Sequence, residues 1–304
     1  MKIYDDIELA DHTEKVVTLG NFDGVHLGHQ KLISKTVEIA SEKKMTSCVL
    51  SFYPHPRLYF NQEIKVINPL PEKIDNISRL GVSALITLKF TKEIASLSKE
   101  AFVKDILHQK LHAKVIVVGY NFRFGHKRSG SVEDLCQIAK RFGIETKIIP
   151  PVVIDGKVVS SSLIREYFEL GEIEAIKKNT GFYPKVSGLI KKGRQLGRTI
   201  GFPTANVDYP KGQLLPSNGV YAVECLLNDK KYKGVANIGV NPTVKQDQKV
   251  MLEVYLFNFS QDIYDKNMAV IFIRKIRDEQ TFPSLLQLQK KIEEDAETAK
   301  NILQ

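Results

Sequence analysis

Two histidines three residues apart, His26 and His29, sit in the run 18–30, TLGNFDGVHLGHQ, with Gly24 and Gly28 beside them. The run lies between an apolar stretch (Val16, Val17, Leu19) and a helical pattern (Leu32, Ile33, Thr36, Val37, Ala40). It therefore reads as a strand-to-helix turn. A helix N-terminus offers free N–H groups and the positive end of a dipole, which suits it to phosphate. Glycine lets the backbone come close to such a ligand. Asn21, Gly24 and Gly28 are accordingly read as nucleotide-binding, and the two imidazoles as a source of charge for a polyphosphate. The plainer alternative is a glycine-rich turn with two solvated histidines.

A second candidate cradle is Ser160, Ser161 and Ser162, a serine run opening a helix, with Arg165 one turn in. Hydroxyls and N–H groups bind phosphate there, and the guanidinium adds a planar charged fork. An N-cap cluster beside a surface arginine is the alternative. Asn121, in the 119–125 loop, is either a contact to a base or ribose or a turn residue. His55, fixed between Pro54 and Pro56, either touches a ligand or shapes a loop, and Arg57 and Arg123 are read the same way. Further along, Gly201-Phe202-Pro203-Thr204-Ala205-Asn206 places a hydroxyl and an amide two residues apart, on one side of an extended segment. Their oxygens suit Mg²⁺ and phosphate. A Pro–Thr–Asn turn beside a solvated basic face is the alternative.

These motifs need elements to hold them. Strands are predicted at 15–19, 46–52, 84–90, 113–119 and 145–153, and helices at 29–42, 71–80, 98–108, 131–142 and 161–170. Ser98 is a plausible N-cap, and Ser131 with Asp134 fits a capping box. Alternating strands and helices imply a parallel sheet with helices on both faces. The polar motifs all follow strands, at the carboxyl ends where open α/β sheets bind ligands. After about residue 182 the texture changes. Apolar, β-branched and aromatic runs at 220–227, 250–259 and 269–276 alternate with Gly, Asn, Asp and Pro clusters, as in a small antiparallel barrel. The segment 284–303 returns to helical spacing. The domains are expected to be 1–181 and 182–304.

Composition narrows the class. A chain of 304 residues with 43% hydrophobic content fits about two globular domains. Three scattered cysteines, Cys48, Cys136 and Cys225, argue against a zinc cage or a disulfide framework. No secretory signal or membrane-spanning stretch is visible, which favours a cytoplasmic protein. The formal net charge of +9 suits polyanionic ligands, nucleotides among them.

The motifs FDGVHLGHQ, FYPHP, GYNFRFG and SSSLIREYFELG, in this order, resemble the adenylyltransferase module of the prokaryotic bifunctional riboflavin kinase/FAD synthetases. GFPTAN, GVYAV (219–223), GVANIG (234–239) and R-x-E-x-x-F (277–282) resemble the kinase module. The resemblance implies an α/β fold: a Rossmann-like nucleotidyltransferase domain, then a small riboflavin-kinase-like β-barrel with a terminal helix. It implies phosphorylation of riboflavin to FMN, then adenylylation of FMN to FAD with release of pyrophosphate, both from ATP with Mg²⁺. On that likeness His26 and His29 form the catalytic signature, and Asn121, Ser161, Ser162 and Arg165 belong to the nucleotide site. Gly201, Pro203, Thr204 and Asn206 hold the second nucleotide, Thr204 and Asn206 also its metal, and Glu253 is the general base. Taken alone, a strand glutamate such as Glu253 is more often an outward solvated residue. His55, Arg57, Phe124 and Arg277 are the candidates for flavin contact; with no tryptophan in the chain, Phe52, Tyr53 and Phe122 are further aromatic options.

The chain departs from the family pattern at Val159 and Ser162, where isoleucine and threonine are common. It departs again at Asn241 and Val244 in the NIG-x-x-PT segment, and at Asp265 in place of glycine. The expected partners are ATP, riboflavin and FMN, with no membrane or nucleic acid and the oligomeric state left open. Competing readings are a single-activity FAD synthetase with a weak kinase module, another H-x-G-H nucleotidyltransferase, and a flavin-responsive nucleic-acid-binding protein using the basic stretch 185–198.

Overall fold

The computed structural model describes residues 1–193, 197, 201–240 and 250–304. Arg194 and Arg198 of the basic stretch, and the departures Asn241 and Val244, lie outside these. The contacts divide the chain into two compact units, Met1–Ser161 and Ser162–Gln304. Among the described residues, no helix is long and apolar enough to cross a membrane.

The first unit is built on a parallel six-stranded sheet: β1 (Lys2–Tyr4), β2 (Lys15–Leu19), β3 (Thr46–Tyr53), β4 (Ala84–Lys89), β5 (Ala113–Gly119) and β6 (Glu145–Ile149). Their order is β1-β4-β3-β2-β5-β6. The central strands are apolar on both faces because helices cover both faces: Val17, Leu50, Ile86 and Ile116 pack into one cluster, Val16, Val115 and Val117 into another. From β2 the chain moves one way across the sheet to β3 and β4, then returns to β5 on the other side. The reversal opens a crevice between the carboxyl ends of β2 and β5, the place where such sheets take ligands. The H-x-G-H turn follows β2 and the Asn121 loop follows β5.

The helix Leu27–Lys43 follows β2 and buries Ile33, Thr36, Ile39 and Ala40. Thr36 satisfies its buried hydroxyl on the Leu32 carbonyl, 2.8 Å away. Ser98 caps as expected, but the helix it starts widens into π-helical turns over Phe102–Lys110. Strand β6 stops at Ile149, short of the predicted 153, because Pro150 and Pro151 bring no N–H to the ladder. A hairpin of β7 (Val153–Ile154) and β8 (Lys157–Val158) follows, turning at Asp155 and Gly156, both with positive φ. The short edge strand β1 had no signal in the sequence pattern.

The second unit is a closed antiparallel barrel. Its strands are β9 (Lys185–Lys191), β10 (Ala205–Asp208), β11 (Gly219–Leu227), β12 (Lys230–Val240), β13 (Val250–Leu256) and β14 (Asn267–Arg277), in the order β10-β13-β12-β11-β14-β9. Alternate residues face inward: Tyr221, Val223 and Cys225 on β11, Leu252, Val254 and Leu256 on β13, all nearly inaccessible. Tyr221 meets Phe272 edge to face at 5.4 Å. The helix Leu285–Ile302 packs on the outside, where Ala299 and Leu303 cover Ala222, Val235 and Ile273. Asp265 holds a left-handed φ of 57°, which explains why glycine suits this position; aspartate is one of the few residues that tolerates it.

The Ser131–Asp134 capping box forms in full, with bonds of 2.9 and 3.2 Å. Ser131→Ala removes one half of it. The expected loss is about 1 kcal/mol of stability, read by urea unfolding of the full chain.

Candidate functional site

The turn from β2 to its helix is held in an unusual backbone shape. Phe22 and Val25 have φ of 48° and 35°, and Gly24 has φ of 85°. For a β-branched residue such as Val25 this is strained backbone, which persists only where surrounding contacts enforce it. Those contacts are visible. The Asn21 carbonyl accepts from Ser51 Oγ at 3.2 Å and from Lys73 Nζ at 2.8 Å. Asp23, 2% exposed, accepts the backbone N–H groups of Ile67 (2.9 Å) and Asn68 (3.3 Å). Ser161 Oγ donates to the Asp23 carbonyl at 2.8 Å. The serine motif is thus tied to the histidine turn through Ser161. Ser162 is exposed, and Arg165 lies one helical turn beyond Ser161, on the same face.

His26 caps the helix: its Nδ1 accepts the His29 N–H at 3.3 Å. An accepting Nδ1 leaves the neutral ring's proton on Nε2, free to donate. The two imidazoles stack, with ring centroids 3.6 Å apart, and Phe22 meets His29 at 5.2 Å. Gly28 permits this, since a Cβ there would lie 3.1 Å from the His26 ring. Burial takes His26 from 6.5 down to about 4. Burial, with the nearby charges of His26 and Lys73, holds His29 well below its usual range. The expectation that the imidazoles supply charge meets this packing: burial favours the neutral form of both rings.

Other first-half expectations divide. Asn121 is exposed just beyond β5, at the crevice. Gly24 is buried against Ile67, which a Cβ would meet at 3.0 Å, so it shapes the turn from behind. His55 caps the short helix Pro56–Tyr59 by accepting the Arg57 N–H at 3.2 Å, and Arg57 is exposed. Phe124 is not available to a flavin. It is 5% exposed and packs in the core against Phe102 and Phe122. The accessible aromatics lie elsewhere: Tyr59 and Phe60 both pack edge-on against Phe90, at 5.4 and 5.8 Å, and are 38% and 57% exposed. Lys73 was also missed; a helical lysine reads as a solvated one.

In the second unit a cavity of about 630 Å³ opens on the outer face of the barrel, beside the C-terminal helix. Its wall includes Thr204, Asn206, Asn237 and Glu253 on one side and Leu285, Leu288 and Ile292 on another. Strand register makes the polar wall. Asn206 pairs with Glu253, Glu253 with Asn237, Asn237 with Val220, and Val220 with Arg277, a single row around the barrel. Asn206 is 8% exposed and its Oδ1 is buried without a hydrogen-bond partner among the described residues. Gly193 lies over it: a Cβ there would come within 2.1 Å of Asn206 Nδ2. Gly201 and Pro203 are exposed and off the wall; Gly201, with φ of 87°, shapes the turn that presents Thr204. Arg277 reaches the wall, but its guanidinium is committed to the buried Asp295, with bonds of 3.0 and 2.7 Å, and to the Asp278 carbonyl. It ties the 277–282 rim to the C-terminal helix. Glu279, whose Oε2 accepts from Asn218 at 3.1 Å, sits over Gly239 at the same rim.

The imidazole shifts have a consequence for stability. Below pH 6.5 the unfolded chain takes up protons on these rings, whereas folded His26 resists until about pH 4. The folded state binds fewer protons, so stability falls as pH drops from 6.5 towards 4. Nuclear magnetic resonance of labelled histidine should show His26 titrating near 4, and a midpoint at 6.5 would contradict the burial described.

Comparison with known proteins agrees with this division of the chain. A family model for FAD synthetase matches residues 8–163, and one for riboflavin kinase matches residues 180–303. The bifunctional riboflavin kinase/FMN adenylyltransferase of Buchnera aphidicola is 38% identical over 288 residues, covering 93% of this chain and 92% of that protein. The Bacillus subtilis protein of the same name is 34% identical, covering 95% of this chain and 92% of its own. A crystal structure from Streptococcus pneumoniae, described as a macrolide-efflux protein, superposes with a TM-score of 0.90 at 30% identity, over 98% of both chains. With both halves matched and near full-length relatives above the 30% level, the chain belongs to the bifunctional riboflavin kinase/FMN adenylyltransferase family.

Proposed function

We propose that this chain makes FMN from riboflavin and then FAD from FMN, using ATP for each step, with residues 182–304 performing the first and residues 1–181 the second. The observation that carries the reading is the pairing of two differently equipped sites in one chain: neutral stacked imidazoles at a helix N-terminus, and a carboxylate beside an unpaired amide oxygen on a barrel wall.

In adenylyl transfer the FMN phosphate oxygen attacks the α-phosphorus of ATP, an O–P bond forms, and pyrophosphate leaves. The nucleophile is already ionised, so no base is needed. What lowers the barrier is alignment and stabilisation of charge on the phosphoryl oxygens. His26 Nε2–H donates to those oxygens, and the helix N-terminus and Asn121 hold the nucleotide. Tyr59, Phe60 and Phe90 give the flavin ring a flat aromatic partner on the strand-end side.

In the kinase reaction the 5′-hydroxyl of riboflavin is a neutral nucleophile, and it must lose its proton as it bonds to the γ-phosphorus. Glu253 accepts that proton, and ADP leaves. Thr204 Oγ1 and Asn206 Oδ1 are hard oxygen donors suited to Mg²⁺, and the unpartnered Asn206 oxygen fits that use. A cation held there would offset the negative charge of the nucleotide's phosphates. Leu285, Leu288 and Ile292 give the cavity an apolar wall opposite these groups. We place the enzyme in the cytoplasm, where ATP is made and thiols stay reduced. Burial pushes the Cys48 and Cys225 thiols up to about 12, consistent with inert free cysteines.

Chromatography of products from riboflavin, ATP and Mg²⁺ reads both sites at once. Replacing His26 and His29 together by alanine should stop FAD formation and leave FMN accumulating, with a loss of at least ~10²-fold in the second step. Glu253→Gln should do the reverse: FMN formation lost, FAD still made from supplied FMN. FAD synthesis at the wild-type rate in the double histidine variant would refute the assignment of the first site.

A further inference from the structure

Lys73 is a buried charge that neither reaction, as described, uses. It is 6% exposed and lies in the first turns of the helix Leu70–Ser78, where the helix dipole disfavours a cation. Burial pushes its ammonium pKa down, with Asp23 opposing the shift. A cation kept in place against both effects marks a position under functional demand.

Its contacts converge on the histidine turn. Nζ donates to the Asn21 carbonyl at 2.8 Å, the carbonyl that also accepts from Ser51 Oγ. Asp23, its opposite charge, accepts from the backbone of Ile67 and Asn68, just ahead of the lysine's own helix. The neighbouring Glu72 is buried as well and accepts from Asn68 Nδ2 at 3.3 Å. Lys73 thus bonds the turn at Asn21, the backbone just ahead of its helix bonds the turn at Asp23, and the lysine charge is felt at His29. This matters because the imidazoles are neutral. The polyphosphate needs positive potential from elsewhere, and a buried ammonium acts through a medium where charge is poorly screened.

We infer that Lys73 is a positioning residue for adenylyl transfer: its ammonium holds the Asn21–Asp23 turn behind the histidine pair and sets there the positive potential that the nucleotide's phosphates meet. The inference rests on the reading of this turn as the adenylyl-transfer site.

The test uses the full chain with FMN, ATP and Mg²⁺. Wild-type protein must first release pyrophosphate only when FMN is present; if it does not, the site reading itself fails. Lys73→Met keeps the length of the side chain and removes the charge, whereas Lys73→Arg keeps the charge. For Lys73→Met, kcat for pyrophosphate release should fall about 10²-fold with the KM for FMN changed less than about threefold. Lys73→Arg should retain at least roughly a tenth of the wild-type kcat. Riboflavin phosphorylation by the same proteins should be unchanged. Wild-type kcat in Lys73→Met, or equal loss in the Met and Arg variants, overturns the proposal, because the charge then does nothing that packing does not. Where Lys73→Met lowers the melting temperature, Lys73→Gln against Lys73→Arg makes the same comparison, since both can donate to the Asn21 carbonyl and one is charged.

Discussion

The first site depends on how the chain leaves a buried strand and enters a helix between Leu19 and Leu27. Three residues in that interval take left-handed backbone angles, and two of them are not glycine. Strain of this kind costs about 1–3 kcal/mol per residue and does not survive without support. The support comes from distant parts of the sequence: Ser51 at the end of β3, Ile67 and Asn68 before a helix, Lys73 within it, and Ser161 at the start of another. The turn is therefore over-determined. The capping bond from His29 N–H to His26 Nδ1 then fixes one ring, and stacking fixes the other. Little is left to reorganise when a phosphate arrives, which is the condition under which hydrogen-bond donors contribute most to a transition state.

The charge state of the two histidines follows from the same packing. An exposed H-x-G-H pair would titrate near the ordinary imidazole value, and its interaction with phosphate would change across the physiological range. Burial weakens that dependence by disfavouring the charged form of both rings. Neutral rings suit a reaction whose nucleophile needs no deprotonation. The barrel site faces the opposite requirement. An alcohol attacks there, a proton must go somewhere, and a carboxylate stands in the row of wall residues. Under the proposed assignment, the two units present different ionisable groups to nucleophiles that differ in whether they carry a proton.

Much of this was legible in the sequence, for definite reasons. Glycine and histidine in a strand-to-helix turn are local signals, and the alternation of strands and helices placed them at strand ends. The Ser131–Asp134 box is a three-residue pattern and formed as read. What failed depended on tertiary packing. Phe124 lies in the same loop as Asn121, yet the bridge between Phe124 and Gly130 turns its ring into the core, where a Cβ at Gly130 would lie only 2.7 Å from it. Lys73 sits in a helix of ordinary composition, and only the docking of that helix against the turn buries it. The Arg277–Asp295 pair was not legible either, because Asp295 lies on a helix that no local pattern joins to β14.

Barrel register carries the same lesson one level up. Single residues such as Thr204, Asn206 and Glu253 were readable as candidates, but not their alignment. Side chains on a strand alternate strictly, so a slip of one position would send Glu253 inward and Val254 outward. Val254 pairs with Ala205 and Ala236, and Ala236 with Tyr221, forming the buried row next to the polar one. Tyr221 is fully buried and meets Phe272 edge to face. A shifted strand would have to place a carboxylate in that apolar interior and strand Val254 in solvent, each change costing hydrophobic and desolvation free energy. Burial of the barrel interior is therefore what aims Asn206, Glu253 and Asn237 at the cavity, and the aliphatic residues beneath them set the geometry of the polar row.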